Sequence, residues 1–226
     1  MSAVARSDTG SARFGATVRG VLLSPGTEFV PALKRVETSA EGLSTYVLAA
    51  LGGGAAMLLW LKVRALVGFR ALAPSEFTWG YFVTGLVFAA LVAVATQVSW
   101  SFVAPRVAGP DAGSPRSFRA VWALSAFPQI PALLVLAPLD VLLVGRDAFT
   151  ASDAADSVAL AWMALSTAMS VSLAAWSAFV FVKGTSVATR ATAGRTVAVV
   201  AASLVGGALV VALVAGALVG LREVLS

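Results

Sequence analysis

The sequence predicts an all-α integral membrane protein, a bundle of five transmembrane helices preceded by a short cytoplasmic helical segment. Three observations predict it. Of 226 residues, 59% are hydrophobic and 12% charged, against roughly 25% charged in a soluble domain. Mean hydropathy is +0.91. The apolar residues also gather into five runs, each near the ~20 residues that cross a bilayer. A chain of 23.0 kDa in water leaves much of its surface exposed and has nowhere to bury that much apolar area.

The elements follow in order. Residues 1–42 form the cytoplasmic segment and 43–226 the membrane domain. Residues 1–10 read as disordered. Residues 13–23 place Phe14, Val18, Val21 and Leu22 at helical spacing beside Arg13 and Arg19. This is the pattern of an amphipathic helix lying on anionic lipid, or of a short helix packed on the bundle. Ser24-Pro25 breaks it, and a short helix restarts near Thr27. The spans are 43–61, 77–103, 121–144, 158–182 and 197–221. The first closes at Lys62 and Arg64, no span holds Lys or Arg, and only the third holds an acid, Asp140. Residues 104–120, with Pro105, Gly109, Pro110, Gly113 and Pro115, read as irregular chain. Residues 145–157 carry Asp147, Asp153 and Asp156, and residues 183–196 carry Lys183, Arg190 and Arg195.

Charge sets the expected orientation. The N-terminal segment, the link after the second span and the link after the fourth hold eleven of the 16 Lys and Arg. The positive-inside rule therefore puts the N-terminus in the cytoplasm and the C-terminus outside, in a multi-pass protein of the cell membrane. Trp60, Trp79, Trp100, Trp122 and Trp162 lie near span ends, where amphipathic rings prefer the headgroup region. The first 20 residues hold no apolar core of a cleaved signal peptide. The pI of about 10.4 fits cytoplasmic loops that face the lipid bilayer, not a nucleic-acid partner.

Missing residue types narrow the chemistry. The chain has no Cys and no His. Thiolate and imidazole metal sites and Ser-His nucleophilic catalysis are therefore excluded. No second membrane-embedded acid stands near Asp140, and no intramembrane Lys is expected to serve a serine. The chain is read as a non-enzyme with no catalytic, cofactor-binding or metal-binding residue.

Several positions remain as candidates. Pro128, Pro131 and Pro138 in the third span each remove a donor, freeing the carbonyls of Leu124, Phe127 and Leu134. Such a broken helix either exposes carbonyls to a cavity or is a kink buried against its neighbours. Asp140 lies about 6 Å from the predicted span end. It is expected to snorkel outward or meet Arg146, with a functional intramembrane acid as the alternative. Gln97, Ser99 and Ser101 form a polar patch. Ser166, Ser170, Ala174 and Ala178, then Ala212, Gly216 and Gly220, form small-residue stripes for helix packing, within the chain or in self-association. Lys183 and Gly184 read as the cytoplasmic end of the fourth span, with Gly184 as its cap.

Three stretches resemble the prokaryotic branch of the Yip (Ypt/Rab-interacting protein) family. They are Ser24-Pro25-Gly26-Thr27-Glu28-Phe29, Phe127-Pro128-Gln129-Ile130-Pro131, and Trp176 through Val182-Lys183-Gly184-Thr185-Ser186-Val187-Ala188. The resemblance implies five spans, a cytoplasmic N-terminus and a scaffold or adaptor role in membrane organisation or trafficking. It also implies a membrane-protein partner or a homo-oligomer. The Asp-Leu-Tyr-Gly-Pro stretch and the third-span Gly-Tyr pair of eukaryotic members are absent, so no GTPase-binding residue is carried over. The alternative is a small-solute or lipid transporter or channel component built on the proline-broken third span.

Overall fold

The computed structural model describes residues 43–68, 76–150, 157–190, 192–207 and 209. The segments 13–23 and 24–29, Asp153, Asp156, Gly216 and Gly220 lie outside the described residues.

The described chain is helical throughout. Four helices are long and apolar enough to cross a membrane. Helix α1 is Leu43–Val67 and α2 is Trp79–Ala108. The third span, Pro115–Leu143, is composite. It runs as α3 (Pro115–Ala126), a 3₁₀ turn (Phe127–Gln129), a π turn (Ala132–Leu136) and α4 (Ala137–Leu143). Helix α5 is Ser157–Thr189. A shorter apolar helix, α6, covers Ala193–Gly207. The expected fifth span is thus described only in its first half.

The helices outrun the apolar runs that predicted them. Helix α1 does not close at Lys62; it continues through Val63, Ala65 and Leu66 to Val67, because no Gly or Pro follows Lys62 until Gly68, where φ turns to 70°. Helix α2 carries Pro105 in its last turn and ends at Gly109, whose φ of 100° suits a residue without Cβ. The irregular link shrinks to residues 109–114, after which Ser114 caps α3 and Pro115 opens it. Gly184 is not a helix end. It is buried inside α5, which runs to Thr189 and stops where Arg190 turns left-handed at φ 49°. Lys183 is exposed nearly two turns before that end.

Polarity runs opposite to that of a soluble protein. The outward faces carry exposed Val83, Val87 and Leu91 on α2 and Val158, Leu165 and Met169 on α5. The buried faces carry Thr96, Gln97, Ser101, Ser166, Ser170 and Ser177. Lipid solvates the apolar exterior, so association depends on close packing and on polar contacts inside. Gly53 permits the closest packing. A Cβ there would stand 2.5 Å from the Ala89 carbonyl oxygen and 2.6 Å from Ala93 Cβ.

Two apolar clusters cap the two ends. One joins Trp100, Phe118, Leu124, Phe127, Val180 and Val199. Ring contacts extend it to Trp122 and Phe181. The other joins Leu58, Leu61, Phe77, Phe82 and Phe149. The third span crosses between them and packs against α1 and α5 along its length.

Candidate functional site

Asp140 neither snorkels outward nor meets Arg146. Its carboxylate is 1% exposed and lies 2.8 Å from Lys62 Nζ, itself 4% exposed. This buried ion pair joins α1 to α4. Two elements bring it together: Lys62 sits five residues before the end of α1 and Asp140 three before the end of α4. At 1.5 Å per residue both lie about 5–8 Å inside the same end of the bundle.

Helix α5 completes the cluster. Lys62 donates to Ser166 Oγ at 2.5 Å and to Ser170 Oγ at 3.1 Å. Ser166 donates to Asp140 Oδ1 at 2.6 Å, and Trp162 Nε1 donates to the same oxygen at 3.0 Å. Ser170 donates to its own helix, at the Ser166 carbonyl, 2.8 Å away. Two of the ammonium's donors therefore meet the Ser166 and Ser170 hydroxyls, and its positive charge is matched by one carboxylate, whose Oδ2 lies at 2.8 Å without accepting a hydrogen bond among the described residues. Ser166, Ser170 and Trp162 recur at four-residue spacing, which places them on one face of α5.

This arrangement locks three helices together through one ion pair and its hydrogen bonds. Ser166 is fully buried. Its hydroxyl proton points at Asp140 and its lone pair receives the ammonium, so the oxygen is not poised to attack a bound substrate. The expectation that no Lys lies inside a span is overturned by Lys62. The sequence held the signal, because the apolar run resumes after it as Val63, Ala65, Leu66 and Val67.

Gln97 builds a second polar junction. It is fully buried on α2. Its Nε2 donates to the Thr45 carbonyl at 3.2 Å and the Arg119 carbonyl at 3.3 Å, tying α2 to α1 and α3. Arg119 Nη1 in turn donates to Tyr46 Oη at 2.9 Å. Ser101 bonds within its own helix, to the Val98 carbonyl at 2.7 Å, and Ser99 is exposed.

The prolines reshape the third span without leaving the Leu124 and Phe127 carbonyls open. Phe127 N–H donates to Leu124 O, and Ile130 N–H donates to Phe127 O. These three-residue bonds reclaim the carbonyls that Pro128 and Pro131 release. Before Pro138, Ala137 N–H reaches back five residues to Ala132, the spacing of a π turn. The Ser125 carbonyl accepts from Ser177 on α5.

A cavity of about 370 Å³ borders this broken stretch. Gly52, Gly53 and Ala56 of α1, Ala174, Ser177 and Ala178 of α5, and Gln129 line it, with Trp122 and Phe181 toward one end and Ser203 of α6 on its wall. Gln129 stands between Pro128 and Pro131, so the amide of the 3₁₀ turn is brought to an otherwise small-residue cleft. Leu124 and Phe127 are buried elsewhere, in the apolar cluster. Neither Lys62 nor Asp140 lines the cleft. Among the described residues no group of three or more acidic, His or Cys side chains gathers in metal-binding geometry. Comparison with protein-family models, with curated proteins and with solved structures gives no match.

Proposed function

We propose that this chain is a Yip-like, five-span, non-enzymatic scaffold or adaptor of the cell membrane, acting in membrane organisation or trafficking. Its N-terminus lies in the cytoplasm and its C-terminus outside. Its partner is another membrane protein or a second copy of itself. The observation that carries this reading is the use made of the buried polar side chains. Lys62, Asp140, Ser166 and Ser170 bind one another across three helices, and the Gln97 Nε2 amide holds three helices. Groups arranged in this way fix a shape, whereas a reactive centre needs a group held open toward a substrate. The orientation is supported by Arg106, Arg116, Arg119, Lys183, Arg190 and Arg195, which fall at the ends of α2, α3, α5 and α6 on one side of the bundle.

The test is affinity isolation of the tagged protein from its native membranes in mild detergent, with mass spectrometry and sizing of the product. A near-stoichiometric partner or a defined homo-oligomer is expected. A lone monomer would overturn the scaffold reading.

The cleft beside Gln129 favours a second reading, a small-solute or lipid-handling component. The chain has no native Cys, so Gln129→Cys and Ser177→Cys report directly. Rapid labelling by a membrane-impermeant thiol reagent would mark a hydrated path. Inertness of both positions, with an exposed control such as Arg190→Cys reacting, would end that reading.

A further inference from the structure

The two ends of the bundle differ sharply in charge. At one end, among the described residues, stand Arg106, Arg116, Arg119, Lys183, Arg190 and Arg195 against a single acid, Asp111. At the other, the described cations Lys62, Arg64 and Arg146 face Glu76, Asp140 and Asp147 and cancel. All the cations of the basic end except the half-buried Arg119 are exposed, and none has a carboxylate partner among the described residues.

The fold holds these cations together on one end face. The Gly113 N–H donates to the Ala188 carbonyl at 2.8 Å, strapping the α2–α3 link to the end of α5. The Thr189 and Thr196 hydroxyls lie 3.2 Å apart and close the α5–α6 turn. Arg195 reaches across to α2: a Cβ added at Gly109 would stand 3.3 Å from its Nη1. Helix dipoles do not neutralise this face. The carboxyl ends of α2 and α5 meet the amino ends of α3 and α6 there, so their partial charges offset. Five exposed cations therefore present a net positive field.

The surface next to the cations is apolar. Phe102 and Val103 lie one turn from Arg106, Val182 adjoins Lys183, and Val197 follows Arg195 by two residues. All four apolar side chains are exposed. A ligand matched to both zones carries an anionic group joined to hydrocarbon. We infer that this end of the bundle is a binding surface for anionic phospholipid, with the headgroup phosphate on Arg106, Arg190 and Arg195 and the acyl chains on the apolar belt. The inference needs only that the helices sit in lipid, and it stands apart from the scaffold reading.

The experiment uses the full chain in neutral detergent, titrated with phosphatidylglycerol or phosphatidylcholine of matched acyl length. Native mass spectrometry counts retained lipid. Phosphatidylglycerol is expected to be retained preferentially and to be lost as salt rises, because the contact is ionic. Arg106→Gln, Arg190→Gln and Arg195→Gln are each expected to weaken retention about five-fold. Arg146→Gln, at the opposite end, should change nothing. Equal retention of the two lipids, insensitivity to salt, or unchanged retention in the three variants would overturn the inference. Displacement of the lipid by glycerol phosphate at equal concentration would also overturn it, by showing a site for a free anion.

Discussion

Removing one member of the Lys62–Asp140 pair tests the central lock most directly. Lys62→Met leaves a carboxylate that is 1% exposed with two neutral donors, Ser166 at 2.6 Å and Trp162 at 3.0 Å. Breaking a buried pair in this way costs about 3–5 kcal/mol, because an uncompensated charge stays behind. Asp140→Asn leaves the ammonium with the Ser166 and Ser170 hydroxyls, and the long lysine stem can slide toward the nearby end of α1. Its cost falls at the lower limit, ~3 kcal/mol. The double variant Lys62→Met with Asp140→Leu removes both charges and is expected within ~1 kcal/mol of the native chain, since apolar replacement of a buried pair is often neutral. With Asp140→Leu as the second single variant, which leaves the buried ammonium without its carboxylate at a cost of ~3 kcal/mol or more, the double-mutant cycle closes and yields a coupling of about 5 kcal/mol. Equilibrium unfolding in mixed micelles reads it through tryptophan fluorescence, with Trp162 as the local reporter. If the double variant loses as much as the two single variants added together, the charges do not act on each other and the lock does not exist.

Three further outcomes follow from the same contacts. Gln97→Glu replaces two donors by a carboxylate facing the Thr45 and Arg119 carbonyls. It should destabilise by ~3 kcal/mol or more, against ~1–2 kcal/mol for Gln97→Leu; equal melting temperatures for the two would contradict the clamp. Gly53→Ala, whose Cβ would press on the Ala89 carbonyl at 2.5 Å, should cost ~2 kcal/mol. Gly54→Ala, meeting only Leu133 at 3.7 Å, should fall within ~0.5 kcal/mol of the native chain, as measured by thermal unfolding in detergent. Ser166→Ala removes a bond to each member of the ion pair and should cost ~2 kcal/mol, whereas Ser172→Ala, whose hydroxyl is exposed and bonds only within its helix at the Ala168 carbonyl, should change unfolding by less than ~0.5 kcal/mol.

The sequence discloses the helices more readily than the site. Apolar run length finds four membrane-length helices because a bilayer demands that length and little else. The ends are harder. Hydropathy falls at Lys183, yet a helix stops only when backbone geometry stops it, and that happens at Arg190. The same confusion of polarity with termination placed Lys62 outside its helix. Pairing of Lys62 with Asp140 across 78 positions depends on how α1 and α4 lie side by side, which periodicity within either helix does not encode. Gln97 was visible as a polar residue in a span. Its partners are the backbone carbonyls of Thr45 and Arg119, which carry no residue-type signature at all.

The composite third span gives the bundle its mechanical plan. Pro128 and Pro131 lie about 20 Å from Pro115, near the middle of the span, and here the backbone changes from α to 3₁₀ and then π. One end is held by aromatic packing around Trp100 and Phe118 together with the Gln97 junction. The other is held by Phe77, Phe82 and Phe149 with the ion pair above α5. Between them the facing residues shrink to Gly52, Gly53, Ala126, Ala174 and Ala178, and the cleft opens. A 3₁₀-to-π junction is also where a helix can slip its hydrogen bonds by one residue without breaking them all. The third span thus joins two ends, each fixed by its own packing and polar contacts, through a non-α segment in its middle. The Ser177 hydroxyl on the Ser125 carbonyl ties α5 to the last turn of α3, just before that segment begins.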